Sequence, residues 1–138
     1  MAARAGPIAE CNREVVIRGL PSDVRTRAEA SLRAFCDHRV PAFARNKVRL
    51  EVEFRGSNAT IYECRPPFLS SFIPAGASQE WTRLSIAQFR FSAETQPWTL
   101  YCADRHSRWH VYYDLDPSDK LEDLIAEVDK DPTGIFWG

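Results

Sequence analysis

The chain reads as an α+β domain: an N-terminal amphipathic helix, a five-stranded antiparallel meander and a C-terminal helix, with the helices on one face of the sheet and a polar face left open. Three observations predict this. Segments around residues 48–54 and 84–91 alternate apolar and polar residues with period two. Segments 22–39 and 119–129 carry apolar residues at helical spacing. Trp98 to Tyr113 reads WTLYCA-DRHS-RWHVYY, two alternating runs around a short turn, rich in Trp, Tyr, Arg and His. At 138 residues the chain suits one domain over residues 21–138, preceded by an arm over residues 1–20.

The arm has no clear period, although Glu14–Arg18 suits a short strand. Gly19-Leu20-Pro21-Ser22 is a turn into the first helix, with Ser22 as N-cap and Asp23 in the first turn. Val24, Ala28, Leu32 and Phe35 form its apolar stripe, and Pro41 ends it near Arg39 or Val40. Val48, Leu50, Val52 and Phe54 then alternate with Arg49, Glu51 and Glu53, as in a half-buried strand.

Arg55–Asn58 turns the chain into a second strand, Ala59–Arg65, in one of two registers. A two- or four-residue loop pairs Phe54 with Ala59 and sends Glu63 to the core face. A three-residue loop sends Tyr62 and Cys64 inward and groups Glu63 and Arg65 with Glu51 and Glu53; it is favoured because a buried, unpaired carboxylate is costly. Pro66-Pro67 stops the strand, and an apolar loop with Phe68, Leu69, Phe72 and Ile73 follows.

In Leu84–Phe91, Ala87, Phe89 and Phe91 point inward, and Gln88 and Arg90 outward. Pairing Phe91 with Trp98 sets Phe89 beside Leu100 and Ala87 beside Cys102. With a turn at Asp104–Ser107, Ala103 pairs with Arg108, so Trp98, Leu100, Cys102, Trp109, Val111 and Tyr113 face the core. Two outward rows then follow: Gln88, Tyr101 and His110, and Arg90, Thr99 and Tyr112. Ser118 caps a last helix, Asp119 to about Asp129, with Leu121, Leu124, Ile125 and Val128 on one side. The tail Asp131–Gly138 is apolar enough to pack back onto the body.

These residues resemble a small bacterial family catalogued as domain of unknown function three-thousand-twenty-four. The matching pieces are Cys36-Asp37-His38-Arg39-Val40-Pro41, Tyr62-Glu63-Cys64-Arg65-Pro66-Pro67, Glu80-Trp81-Thr82, Ala87-Gln88-Phe89-Arg90-Phe91, Trp98-Thr99-Leu100-Tyr101, Asp104-Arg105, Arg108-Trp109-His110 and the closing Asp131-Pro132-Thr133-Gly134-Ile135-Phe136-Trp137-Gly138. The resemblance runs from about Ser22 to the last residue and supports the fold. It implies no activity.

Composition narrows the function classes. No apolar run approaches the ~20 residues of a membrane span, and the N-terminus lacks the apolar centre of a secretory signal. A cytoplasmic protein without membrane contact is expected. Cys11, Cys36, Cys64 and Cys102 never form a Cys-x-x-Cys pair, so neither a metal site nor another cofactor is expected. Net charge is −1, but residues 114–138 carry eight acids against Lys120 and Lys130, leaving the rest of the chain positive. No serine sits in a nucleophile elbow and no glycine-rich loop cradles phosphate.

Binding is therefore favoured over catalysis. The expected site is the polar sheet face, with Arg65, Gln88, Arg90, Tyr101, Arg108, His110 and Tyr112 offering cationic donors and flat rings to a nucleotide or single-stranded nucleic acid. One alternative is a metal-independent ribonuclease, with Glu63 (or Glu53) and His110 as acid and base beside Arg65 and Arg90. Another is a protein–protein interaction domain or homodimer, docking through residues 68–73 or the acidic terminal helix.

Overall fold

A computed structural model describes residues 19–67, 81–95 and 97–138. Residues 1–18 of the expected arm (residues 1–20) and the proposed docking loop at 68–73 lie outside the described residues. In chain order come α1 (Ser22–Arg39), a short 3-10 turn (Ala42–Ala44), β1 (Arg49–Arg55), β2 (Asn58–Arg65), β3 (Thr82–Phe91), β4 (Trp98–Ala103), β5 (Trp109–Val111) and α2 (Leu121–Lys130). The strands form one antiparallel sheet in the order β1-β2-β3-β4-β5, so the α+β meander stands.

The apolar stripe of α1 works as its spacing requires: Ala28, Leu32, Phe35 and Cys36 are buried against the sheet. Pro21, not Ser22, occupies the N-cap, and Ser22 takes the first helical position, where its carbonyl accepts the Thr26 hydroxyl at 2.9 Å. The helix ends at Arg39, ahead of Pro41. Leu121, Leu124, Ile125 and Val128 of α2 close the core on the same side, with Ile61, Ala87, Phe89 and Leu100 beneath.

The tail does pack back. Asp131 terminates α2 in the left-handed region at φ 47°, and its carboxylate accepts the backbone N–H groups of Phe136 (3.0 Å) and Trp137 (2.8 Å). The Trp137 indole N–H donates to the Val128 carbonyl at 2.7 Å, and the Arg39 guanidinium lies 3.9 Å over the indole. Phe136 is buried against Tyr112, ring centroids 5.1 Å apart. The closing motif is thus a staple joining α1, α2 and the end of the meander.

The β3–β4 register is the expected one: Phe91 opposite Trp98, Phe89 opposite Leu100, Ala87 opposite Cys102. Both other hairpins differ by one residue. In β4–β5, Ala103 pairs with Trp109 rather than Arg108, because Asp104 builds a longer turn. Its carboxylate accepts the N–H groups of His106 (2.8 Å) and Arg108 (3.0 Å), and Ser107 takes φ 63°. The slip exchanges the faces of β5. Tyr112 turns inward beside Leu100, His110 shares the helix-side face with Cys102, and Trp109 and Val111 join Tyr101 outside.

In β1–β2, Phe54 pairs with Ala59 across a two-residue loop, and Gly56 takes φ 59° at the first loop position, as a type II′ turn demands. Glu63 consequently lies beside Leu50 on the helix-side face, and the three-residue loop is overturned. The carboxylate escapes the expected burial cost because it sits at the margin, 20% exposed, with Arg65 Nε 3.3 Å away on the same face. A bulge finishes the sheet. Ile61 pairs with Ala87 but Tyr62 pairs with Ser85, so Ile86 is an extra residue in β3.

Candidate binding face

The face of the sheet opposite the helices is assembled by those registers. Glu53, Thr60, Gln88, Tyr101 and Val111 form one row across all five strands. Arg55, Asn58, Arg90 and Thr99 form the row on one side of it. On the other side lie Glu51, Tyr62 and Ser85, then Arg49, Cys64 and Arg83. The bulge at Ile86 brings Arg83 here; without it, strict alternation would send Arg83 to the helix side with Ala87 and Phe89.

Three arginines on this face sit over aromatic rings. Arg90 is 3.8 Å over Tyr101, Arg83 is 3.8 Å over Tyr62, and Arg49 is 3.8 Å over Trp81. Beneath them Cys64, Thr60 and Gln88 are only 1%, 5% and 9% exposed. Gln88 is fixed from both ends: its amide N–H donates to the Thr60 hydroxyl at 3.0 Å, and its carbonyl accepts from Arg90 Nε at 2.6 Å. Gln88 thereby orients the Arg90 guanidinium while its remaining N–H groups stay available.

The two ends of the face differ electrostatically. Arg83 stands 3.9 Å from the Glu51 carboxylate and 3.8 Å from that of Glu53, and the Tyr62 hydroxyl donates to Glu53 at 3.2 Å. Burial and the neighbouring Glu53 together raise the Tyr62 pKa, so the phenol stays protonated. At the other end, the row with Arg55 and Arg90 contains no carboxylate. An anion landing there meets two guanidinium groups and no opposing acid in that row.

The structure gathers only part of the expected ligand set. Gln88, Arg90 and Tyr101 share the open face. Arg65 lies on the opposite face with Glu63. Tyr112 is a core residue, 4% exposed, whose hydroxyl donates to Glu127 at 2.7 Å; burial, then that carboxylate, push its pKa up to about 12. His110 is exposed on the helix-side face of the edge strand, with Nε2 2.8 Å from Asp104 Oδ2. Because a carboxylate only accepts, Nε2 carries the proton. That hydrogen bond, first among the causes, holds Asp104 down to about 2. Arg108 is exposed in the turn, outside the rows.

Glu63 and His110 do not form an acid–base pair. They belong to β2 and β5, with two strands between them. At ~4.8 Å per strand they stand roughly 14 Å apart across the sheet, too far to serve one phosphate. Among the described residues no thiolate nucleophile is prepared: burial raises the pKa of Cys64 and Cys102 and pushes Cys36 up to about 11. Among the described residues no group of three or more His, Cys, Asp or Glu side chains could hold a metal ion. No described helix is long and apolar enough to cross a membrane.

Sequence reasoning set Arg49 with Glu51 and Glu53 on the polar side of the first strand, as observed, but missed Tyr62, Trp81, Arg83 and Trp109 as members of this face. A signal for Tyr62 was available, since Gly56-Ser57 suits a two-residue hairpin loop and that register exposes it. Nothing in the residue pattern announced the bulge that turns Arg83 and Trp81. A family model described as Domain of unknown function (DUF3024) matches residues 20–138. No curated protein and no solved structure matches the chain.

Proposed function

The chain belongs to the DUF3024 family, and from that premise we propose that it is a small binding module whose open sheet face takes an anionic ligand carrying flat rings, a nucleotide or a short single-stranded nucleic acid. One observation carries this reading: Arg90 lies 3.8 Å over Tyr101 while Gln88 holds its Nε at 2.6 Å. A guanidinium held over a ring in this way keeps its outer N–H groups for phosphate, and its own outer surface can stack on a base. Arg55 in the same row supplies the second cation. The free thiols of Cys36, Cys64 and Cys102 suit a reducing, cytoplasmic setting.

The test is fluorescence anisotropy with labelled oligothymidine and oligouridine at low and physiological salt. Affinity is expected to fall with salt, and Arg90→Ala to weaken binding about tenfold. Arg65→Ala, on the other face, serves as the matched control and changes little. Absence of binding at low salt, or equal effects of the two substitutions, overturns the proposal.

A further inference from the structure

We infer a second binding site, on the helix side of the sheet, for a small organic cation: an ammonium group on an aromatic or branched apolar body. A cleft of about 380 Å³ opens between the start of α1, the turn joining β3 to β4 and the start of α2. That volume falls within the range of small-molecule pockets. Its floor is apolar. Phe91 and Trp98, ring centroids 5.0 Å apart at 56°, meet Ala28 and Leu121 there, and each of the four is buried and shows only an edge to the cleft.

The rim decides the charge of the occupant. Arg27, Thr95, Asp119 and Glu122 line it. The positive charge of Arg27 is already opposed by Asp23, 3.7 Å away on the same helix. Glu122 engages the Ser31 hydroxyl through Oε2 at 3.0 Å and keeps its other oxygen. Asp119 and Glu122 therefore leave an excess of negative charge at the mouth of the cleft, which attracts an ammonium group and repels a carboxylate. The Thr95 hydroxyl can orient a second polar group of the ligand. The indole and phenyl rings of the floor belong to the face opposite Arg90 and Tyr101, so this site stands or falls separately from the anion-binding face.

Two probes of matched shape separate the outcomes: 2-phenylethylammonium and 3-phenylpropionate, titrated at millimolar concentration into the whole chain. Heteronuclear NMR should show the Trp98 indole and Ala28 amide shifting with the ammonium compound and staying still with the carboxylate. Asp119→Asn combined with Glu122→Gln should weaken ammonium binding about tenfold, while the glutamine oxygen keeps the Ser31 contact. Val24→Phe, which fills the rim without altering charge, should abolish binding; circular dichroism melting checks that each variant folds. Arg90→Ala should leave the affinity unchanged. No shift at Trp98, equal binding of the two probes, or full affinity in either cleft variant overturns the inference.

Discussion

The two faces of this sheet are hidden from water by different means. On the helix side, Ile61, Ala87, Phe89 and Leu100 are covered by apolar side chains of α1 and α2. On the open side, Cys64, Thr60 and Gln88 are nearly as inaccessible, yet arginines and aromatic rings lie above them. Low exposure on the first face reports hydrophobic packing. On the second it reports a polar roof over hydrogen-bonded groups, so its rim remains chemically usable.

Substitutions should separate the faces by size of effect. Phe89→Ala removes a fully buried ring under both helices and is expected to cost about 3–5 kcal/mol in urea unfolding. Gln88→Ala leaves the Thr60 hydroxyl and Arg90 without their partner, and about 1–3 kcal/mol is expected. A Gln88→Ala cost matching that of Phe89→Ala would show that the faces do not differ. Arg90→Ala should cost at most about 1 kcal/mol of stability, since half-exposed cation–π contacts are weak, while lowering ligand affinity. A large loss of stability there would make the stack structural.

Acid should act mainly at the β4–β5 turn, with a smaller effect. Asp104 has a folded pKa of about 2 against an ordinary 3.8. Its contribution is fully present above the unfolded value and is lost as pH falls from near 4 through about 2. The protection of the His106 and Arg108 amides, which donate to this carboxylate, relative to their intrinsic exchange rates should hold down to pH near 4 and fall below it. Asp104→Asn should remove that pH dependence. Persistence of the profile in the variant would assign it elsewhere.

Much of the helix-covered face was legible in the sequence, and little of the open face. The stripes of α1 and α2 and the Phe91–Trp98 pairing follow from apolar periodicity, because only one register buries Phe89, Leu100 and Ala87 together. That logic weakens where both faces carry amphipathic residues. Tyr112 and Trp109 each have an apolar ring and a polar atom, so either can lie inside, and the choice fell to the Asp104 carboxylate in the turn. Glu63 argued against its true register because its rescue by Arg65 at the sheet margin is a tertiary fact. Of the expected ligand residues, Gln88, Arg90 and Tyr101 come from the well-patterned β3–β4 hairpin and were placed together correctly.

The extra residue at position 86 works as a phase shifter. Upstream of it, residues 82–85 run out of step with the rest of β3, and that offset presents Arg83 to Tyr62. Shortening the strand by that single residue would invert four side chains at once, turning a guanidinium to the helix side and Leu84 to the open face, with no change in composition elsewhere. A comparison of family members should therefore count residues between the tryptophan and the glutamine before comparing their identities.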